Sequence, residues 1–200
     1  MLNEKLIKFC DENFDYPKII LDKLFEYKKI LIKENEKMNL IGKSTIDDLD
    51  ERHLLDCIQI VQYLPNHEKS LMDIGTGAGL PGIILSIIGF KNLHLVEKSP
   101  KKSLFLENCK LQLDLNYHVH NKSITEISDL NIDCITARAF APIEKIVSLT
   151  KNIINKKTKF ILLKGRSYLT ELKTINPKKY FWESHPSITS SESKIIVMAV

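Results

Sequence analysis

The sequence lacks a hydrophobic segment long enough to cross a membrane. Its longest apolar run, from Leu80 to Ile88, is interrupted by Pro81, Gly82 and Ser86, whereas a membrane-spanning helix needs about 20 apolar residues. The first fifteen residues mix acidic and basic side chains without a continuous apolar stretch, so they do not predict a secretory signal. We therefore expect a cytoplasmic protein that makes no contact with a membrane.

The sequence is also poor in cysteine, and its cysteines form no recognisable framework. The four cysteines are scattered, none belongs to a C-x-x-C pair, and no nearby histidine completes a zinc-binding spacing. Small buried thiols in a reducing compartment are the simpler interpretation, and we predict no metal site. The residues concerned are Cys10, Cys57, Cys109 and Cys134.

Repeats and low-complexity segments are absent, and the composition is that of an ordinary globular protein. Hydrophobic residues make up 44% of the 200 residues and charged residues 27%, which excludes the composition of a disordered chain. A chain of this length buries roughly 70% of its unfolded surface, so it can fold without disulfides or a structural metal. The net charge of +4 favours polyanionic partners only weakly.

The N-terminal third of the chain has helical periodicity throughout. Apolar residues recur there at steps of three and four, the spacing of helices with one buried face. A first helix, a polar connector over residues 39–45 and a second helix over residues 47–64 are predicted, and Pro65 ends the second helix. We therefore predict a helical segment, residues 1–65, packed on a larger domain, residues 66–200. The residues expected to face the core are Ile19, Ile20, Leu24, Tyr27 and Leu31 in the first helix and Leu49, Leu54, Leu55, Ile58 and Val61 in the second.

After residue 70 the pattern changes to short apolar runs that alternate with helical segments. This alternation predicts β-α-β units, and hence an α/β fold with a mostly parallel sheet of seven strands and helices on both faces. No long helix separates the last two runs, so a closing antiparallel hairpin is expected at one sheet edge. The predicted helices are residues 79–89, 100–113 and 142–154. The predicted strands are residues 71–74, 93–96, 117–119, 134–137, 160–163, 180–183 and 195–200.

The strongest functional signal is a glycine-rich turn at residues 73–82, DIGTGAGLPG, between the first of these strands and the helix after it. Glycines allow positive φ and let a ligand lie against bare backbone, at the carboxyl edge where ligands of such sheets bind. Gly75, Gly77 and Gly79 are therefore candidate cofactor-binding residues. Pro81 fits the first turn of the helix, where its missing N–H has no partner.

Two classes of ligand fit this turn. Residues 77–82 match the G-x-G-x-x-G pattern of dinucleotide-binding proteins, so an NAD-binding oxidoreductase is one alternative. Asp73 favours S-adenosylmethionine, because a carboxylate at the strand end would repel a pyrophosphate and suit a ligand carrying an ammonium and a sulfonium. Glu97, at the end of the second strand, can accept hydrogen bonds from both ribose hydroxyls of either ligand. We therefore predict a methyltransferase.

Four further stretches, together with this turn, resemble one bacterial methyltransferase family. They are N-L at residues 39–40, R-H-L-L-D at 52–56, A-R-A-F-A at 137–141 and L-K-G at 163–165. The chain resembles the small-subunit ribosomal RNA methyltransferase G family, also called glucose-inhibited division protein B, over nearly its whole length.

The resemblance implies a fold and an activity. The fold is that of class I S-adenosylmethionine-dependent methyltransferases, Rossmann-like, behind an N-terminal helical extension. The activity is methylation of N7 of one guanine in 16S ribosomal RNA, with S-adenosylmethionine as the cofactor and 16S ribosomal RNA or the small ribosomal subunit as the partner. We expect a monomer. A methyltransferase of the same fold with another substrate is a second alternative.

The resemblance also implies roles for individual residues. It places Gly75, Leu80, the pair Ile124–Thr125 and Arg138 at the cofactor. At the position of Thr125 the family commonly has an acid, and this chain has Glu126 one residue later. The contact is therefore either through the backbone or displaced by one residue.

The expected chemistry asks little of catalytic side chains. Guanine N7 has a free lone pair and no proton, so no general base is needed, and alignment at ~3–3.5 Å with exclusion of water can supply the rate. Arg138 is expected to close the cofactor pocket and to position the guanine, and Lys164 to contact a phosphate or a base. His53 is near enough to Asp56 for a hydrogen bond, and by itself such a histidine is more often structural; the resemblance implies that it contacts RNA.

Two further features are candidates for RNA contacts. Asn39 is expected either to hydrogen-bond a base or to hold the connector. Several runs of basic residues would form a phosphate-binding rim if they flank the pocket, and RNA affinity would then fall steeply with salt. These runs are residues 28–29, 98–102, 156–159, 164–166 and 178–179.

Overall fold

Seven strands form one mixed sheet in the structure, a computed structural model that describes all 200 residues. The strands are β1 (Leu71–Ile74), β2 (Leu93–Val96), β3 (His118–His120), β4 (Cys134–Arg138), β5 (Lys159–Lys164), β6 (Phe181–Pro186) and β7 (Lys194–Ala199). Their order in the sheet is β3-β2-β1-β4-β5-β7-β6. Strands β1 to β5 are parallel, and β7 runs antiparallel to both β5 and β6. The predicted sheet and its closing hairpin are thus confirmed.

Seven α-helices accompany the sheet. They are α1 (Glu4–Asn13), α2 (Pro17–Asn35), α3 (Asp56–Ile58), α4 (Gly82–Ile87), α5 (Pro100–Gln112), α6 (Ile143–Thr150) and α7 (Tyr168–Leu172). The short α3 is the middle of one continuous helical segment, which begins as a π-helix (Asp50–Leu55) and ends as a 3₁₀ helix (Gln59–Tyr63). No helix combines the length and the apolarity that crossing a membrane requires.

Helix α2 attaches the N-terminal segment to the rest of the chain. Its stripe of Ile20, Leu24, Tyr27 and Leu31 is buried, as the periodicity predicts. The prediction is wrong for Ile19, whose side chain is 59% exposed, because one residue further round the helix turns it away from the stripe.

The connector after α2 is less polar than predicted. Leu40 and Ile41 are both buried, and their N–H groups donate to Oδ1 of Asn35 at 2.8 and 2.9 Å. Because Asn35 satisfies these backbone donors, the chain can turn sharply and point two apolar side chains inward. Asn39 is exposed and forms no side-chain hydrogen bond, so Asn35, not Asn39, holds the connector.

The hydrophobic core lies on both faces of the sheet. In β1, Leu71 belongs to a cluster of 35 buried residues that includes side chains of α1, α2, α4 and α5. Met72 and Ile74 belong to a cluster of 18 on the other face, with side chains of α6 and α7. The alternation follows from the two-residue period of a strand. The N-terminal helices share the larger cluster with the sheet, and the division into residues 1–65 and 66–200 stays a prediction.

Most elements differ from their predicted bounds by one to a few residues, and the helix predicted over residues 142–154 ends at Thr150. Helix α4 begins at Gly82 and not at Gly79, because Gly79 has a φ of +88°, outside the helical range; Pro81 directly precedes the helix. Strand β3 begins at His118, one residue later than predicted. Helix α7 has no counterpart in the prediction, since its five residues are too few for a helical period to stand out.

Candidate active site

The glycine-rich turn after β1 uses positive φ at three positions. The φ angles are +64° at Gly75, +57° at Gly77 and +88° at Gly79. A Cβ at Gly75 would lie 2.1 Å from the ring of Phe140, and one at Gly79 would lie 2.4 Å from Ile83. At Gly77 the nearest atom would be 3.9 Å away. Gly75 and Gly79 therefore make room for neighbouring side chains, whereas Gly77 leaves bare backbone facing open space.

Asp73 lies behind this turn. Its side chain is fully buried; Oδ2 accepts the N–H of Gly82 and Oδ1 accepts the hydroxyl of Thr136, each at 2.9 Å. Burial raises the pKa of this carboxyl to about 6, against the lowering effect of the two hydrogen bonds. The sequence predicts that Asp73 contacts the ligand directly. In the structure Asp73 lines neither cavity of the site, and its carboxylate instead stabilises the turn.

Two cavities lie at the carboxyl edge of the sheet and share the backbone of Gly75. The inner cavity, about 490 Å³, includes Leu40, His53, Leu80, Arg138, Lys164 and Ser187 in its wall. The outer cavity, about 380 Å³, includes Val96, Glu97, Lys98, Lys122, Ile124 and Phe140. Lys102 and Ala139 belong to both. Each volume is within the usual range for small-molecule sites.

Glu97 connects the outer cavity to the glycine-rich turn. Its Oε2 accepts the N–H of Gly77 at 3.1 Å and its Oε1 accepts the N–H of Ser99 at 2.8 Å. A carboxylate has about four acceptor positions, so it can still receive two hydroxyl groups from a ligand. The structure places the predicted acid at the mouth of the turn.

Only one residue of the predicted pair Ile124–Thr125 lines the site. Ile124 is buried and lines the outer cavity, whereas Thr125 is exposed and lines neither cavity. The nearby acid, Glu126, accepts the N–H of Ser123 at 2.7 Å and so caps its own 3₁₀ turn. Neither Thr125 nor Glu126 directs a side chain into the outer cavity.

Arg138, at the end of β4, is held by the helical segment that precedes β1. Its Nε donates to Oδ2 of Asp56 at 2.8 Å, and its Nη2 donates to the carbonyl of Arg52 at 2.8 Å and to Nδ1 of His53 at 3.1 Å. The other terminal nitrogen, Nη1, has no partner in the chain. Arg138 therefore lines the inner cavity with its charge balanced and two N–H donors free.

His53 is neutral in this arrangement. Its Nδ1 accepts from Arg138, so Nε2 carries the proton and donates to Oγ1 of Thr45 at 2.7 Å; Thr45 in turn donates to the carbonyl of Gly42. Burial, aided by the charges of Arg138 and Arg52, lowers the pKa of His53 to about 4. The predicted hydrogen bond between His53 and Asp56 is wrong, because Asp56 turns to Arg138 instead.

Lys164, at the end of β5, is paired within the chain. Its Nζ lies 2.6 Å from Oε2 of Glu171 and donates to the carbonyl of Ala141 at 2.8 Å. Its side chain lines the inner cavity but is only 11% exposed. Because Glu171 balances its charge, Lys164 fixes the loop that carries Phe140 and offers little to a phosphate.

More basic than acidic residues line these cavities. The chain has 29 basic and 25 acidic residues. Six basic and two acidic residues line the two cavities; Asp56 pairs with Arg138 and Glu171 pairs with Lys164, so four lysines and Glu97 remain without an ion-pair partner there. A cleft lined by charge of one sign raises the local concentration of ligands of the opposite sign. The lining residues are Lys98, Lys102, Lys122, Arg138, Lys164 and Lys194, with Asp56 and Glu97.

Sequence reasoning missed the polar residues that support this site. Gln59 is buried between Ile58 and Ile60, and Thr136 is buried inside β4. Such residues could be found in the sequence as polar residues at positions where the helix or strand periodicity predicts an apolar side chain. Glu171 gives no such signal, because it lies in the short helix that the pattern does not reveal.

Comparisons with known proteins identify the family. The model of the family described as rRNA small subunit methyltransferase G (GidB) matches residues 20–194. The chain is 40% identical over 185 residues to "Ribosomal RNA small subunit methyltransferase G" of Rickettsia rickettsii (strain Sheila Smith), an alignment that covers 91% of this chain and 95% of that relative.

Solved structures share the fold. The chain is similar to ribosomal protein L11 methylase from Lactobacillus delbrueckii subsp. bulgaricus, with a TM-score of 0.60 and 15% identity over 80% of each chain. It is also similar to a SAM dependent methyltransferase from Aquifex aeolicus, with a TM-score of 0.60 and 16% identity over 80% of this chain and 100% of that one. The predicted methyltransferase fold is confirmed, and the oxidoreductase alternative is not favoured.

These findings agree with the motifs that the sequence carries. The glycine-rich turn, the stretch at residues 137–141 and the stretch at residues 163–165 all lie at the carboxyl edge of one sheet, around the two cavities. The matched range includes all of them. The chain therefore belongs to the rRNA small subunit methyltransferase G family of methyltransferases.

Proposed function

We propose that this chain transfers the methyl group of S-adenosylmethionine to N7 of a guanine in 16S ribosomal RNA. The observation that carries the proposal is the coincidence of two features at one place. The glycine-rich turn and Glu97 provide a site for the cofactor, and four lysines that form no ion pair, Lys98, Lys102, Lys122 and Lys194, line the cavities of that site. The charge favours a polyanionic substrate over a small neutral molecule.

The residues of the outer cavity fit the adenosine part of S-adenosylmethionine. Glu97 has acceptor positions for the two ribose hydroxyls, and Ile124 offers an apolar surface for the adenine. Gly77, in the wall of the inner cavity, leaves bare backbone there, so a ligand can approach without meeting a Cβ. Leu80 and Gly75 line the inner cavity, where we place the methionine part and the methyl group. When bound, S-adenosylmethionine supplies an electrophilic methyl group.

Arg138 is suited to orienting the guanine. An alkylated guanine is cationic, so an unbalanced positive charge against it would oppose the reaction. Asp56 balances the charge of Arg138, and the free Nη1 donors can hydrogen-bond the O6 atom of the base. His53 stays neutral beside Arg138 and adds no charge. No residue needs to remove a proton, since N7 carries none.

Nucleoside analysis tests the proposal. The purified chain is incubated with S-adenosylmethionine carrying a labelled methyl group and with unmethylated 16S ribosomal RNA, either free or in 30S subunits. We expect label in 7-methylguanosine in at least one of these two substrates. Label in transfer RNA, in ribosomal protein or in another nucleoside would reject the proposal in favour of a methyltransferase with another substrate.

We further propose that the chain acts as a monomer in the cytoplasm, where ribosomal subunits are. The two cavities are complete within one chain, which supports activity of a single copy. Sedimentation equilibrium at micromolar concentration is expected to give a mass near 23.0 kDa. A dimer under these conditions would reject this part of the proposal.

A further inference from the structure

The turn between β6 and β7 is fastened to the helical segment by a buried glutamine. Gln59 is 1% exposed, and its hydrogen-bond partners on the turn lie about 130 residues later in the sequence, a separation typical of long-range tertiary contacts. Its Oε1 accepts the N–H of Ile188 at 2.9 Å, and its Nε2 donates to Oγ of Ser187 at 3.0 Å. The amide thus uses both its acceptor and its donor on the same turn.

A second fastening runs through a threonine of that turn. Oγ1 of Thr189 lies 2.8 Å from Oδ1 of Asp56, which also accepts from Nε2 of Gln59 at 3.0 Å. An ionised carboxylate only accepts, so the hydroxyl of Thr189 must donate to Asp56. Thr189 then accepts the hydroxyl of Ser187, 2.8 Å away. The two hydroxyls therefore form a chain of donors that ends at Asp56, in the wall of the inner cavity.

Asp56 joins the turn to Arg138. Its Oδ1 receives Gln59 and Thr189, while its Oδ2 receives Nε of Arg138 at 2.8 Å. The position of the Asp56 carboxylate therefore depends on hydrogen-bond donors at both of its oxygens, and the position of the Arg138 guanidinium depends on that carboxylate. Ser187 lines the inner cavity next to Arg138, and Ile188 beside it is 54% exposed.

We propose that Gln59 and Thr189 are positioning residues, which dock the β6–β7 turn onto the Asp56–Arg138 pair and so build the RNA-side wall of the inner cavity. The inference rests on the proposed function for its consequence, but the docking itself can be measured without RNA. Undocking would free Asp56 to rotate and would displace Arg138 from the guanine. A displacement of about 1 Å near a reacting centre can lower the rate about 100-fold.

A matched pair of variants at Thr189 tests the effect on turnover. Thr189→Val keeps the shape of the side chain and removes the hydroxyl, whereas Thr189→Ser keeps the hydroxyl. We expect Thr189→Val to lower kcat for RNA methylation about tenfold and to leave the Kd of S-adenosylmethionine within twofold. Thr189→Ser is expected to retain most of kcat. A purely structural role would not separate kcat from cofactor affinity in this way.

Gln59 is tested in the same assay. Gln59→Met removes both polar ends at similar volume and is expected to lower kcat at least as much as Thr189→Val. The control is Gln62→Met, three residues along, because Gln62 is exposed and contacts only the carbonyl of Gln59, at 3.5 Å. The Thr189 and Gln59 effects should not add, since both act through Asp56.

Hydrogen exchange measures the docking independently of any RNA. We expect the amide of Ile188 to exchange at least tenfold faster in Gln59→Met than in the wild type or in Gln62→Met. Unchanged exchange would overturn the docking. Faster exchange with unchanged kcat would overturn the role in turnover. Failure of the wild type to methylate 16S ribosomal RNA would instead reject the proposed function, which the exchange result does not depend on.

Discussion

The guanidinium of Arg138 donates to Nδ1 of His53 across 3.1 Å, so the two residues form a cation–acceptor pair in which the imidazole must be neutral. The pair joins β4 to the helical segment that precedes β1. Protonation of His53 would place a second positive charge against Arg138 in a buried setting. The stability of this junction therefore depends on pH.

Replacing His53 should reduce the loss of unfolding free energy that occurs when the pH is lowered. Burial lowers the pKa of folded His53 to about 4, below the 6.5 of an unfolded chain. The unfolded state therefore takes up the proton first, and stability present above pH 6.5 is lost as the pH falls towards 4. Between pH 7 and pH 5 this loss amounts to about 2 kcal/mol. His53→Gln should remove that part of the loss, as urea unfolding at the two pH values would show.

The difference in pH dependence between the wild type and His53→Gln reports on His53 alone. Burial also lowers the pKa of His94 to about 4, but His94 is present in both proteins and cancels in the difference. Equal losses of unfolding free energy in the wild type and in His53→Gln would contradict the neutral assignment of His53.

Removing the carboxylate of Glu97 should weaken cofactor binding. The loss of even one hydrogen bond to a charged group costs about 1.5–3 kcal/mol, so Glu97→Ala should raise the Kd of S-adenosylmethionine by at least roughly 10- to 100-fold in a calorimetric titration. The Gly77 N–H would also lose its partner. Glu107→Ala is the control, because Glu107 is an exposed acid on α5. Equal affinities for the two variants would remove Glu97 from the cofactor site.

The sheet could be read from the sequence because its signals are local. Strands β1, β2, β4 and β5 each contain a short apolar run, and the alternation with helices allows few arrangements other than a parallel sheet. Ends of elements were less predictable, since Gly79 gives no sign of its positive φ in the sequence. The burial of Leu40 and Ile41 depends on Asn35, several residues away, so a local pattern does not show it.

The site was predictable in its position but only partly in its contacts. The glycine-rich turn and Glu97 lie where the motif places them, at the carboxyl edge of the sheet. The charge partners of Arg138 and Lys164 were not predictable, because Asp56 and Glu171 approach them only through tertiary folding. Asp73 shows the same limit: its place in the motif is clear, but only the structure shows its oxygens engaged by Gly82 and Thr136.

Two alanine substitutions in the glycine-rich turn should differ in severity. Gly75→Ala places a Cβ 2.1 Å from the ring of Phe140 at a φ of +64°, so it combines a steric clash with backbone strain. Gly77→Ala meets only the strain, about 1–2 kcal/mol, since its Cβ faces open space. We expect Gly75→Ala to lower the free energy of unfolding by more than Gly77→Ala does, as measured by urea titration.

Removal of the ring separates the clash from the strain. Phe140→Ala combined with Gly75→Ala should be less destabilised than the sum of the two single variants, because the clash is absent. Additive effects would show that Phe140 does not occupy the space above Gly75. Gly77→Ala should bind S-adenosylmethionine more weakly despite its milder effect on folding, because the new Cβ points into space that the ligand would occupy.

The lysines of the outer cavity should account for part of the salt dependence of RNA binding. Lys98, Lys102 and Lys122 line this cavity and form no hydrogen bond or ion pair with another side chain of the chain. Each lysine that neutralises a phosphate of single-stranded RNA contributes about 0.7 to the slope of log affinity against log salt. Replacing all three by alanine should therefore reduce the slope by about 2. The slope is measured by fluorescence-anisotropy titrations of a labelled 16S fragment at salt concentrations from about 50 to 300 mM.

A matched triple variant decides whether this effect belongs to the site or to net charge in general. Lys151, Lys156 and Lys157 are exposed and lie between α6 and the start of β5, at the amino edge of the sheet, so their replacement by alanine removes the same charge from the opposite side. Because screened charges act over only about 10 Å at 0.1 M salt, the amino-edge variant should keep the wild-type slope. If both triple variants reduced the slope equally, RNA would be attracted by the overall charge of the molecule, and the lysines of the outer cavity would not contact its phosphates.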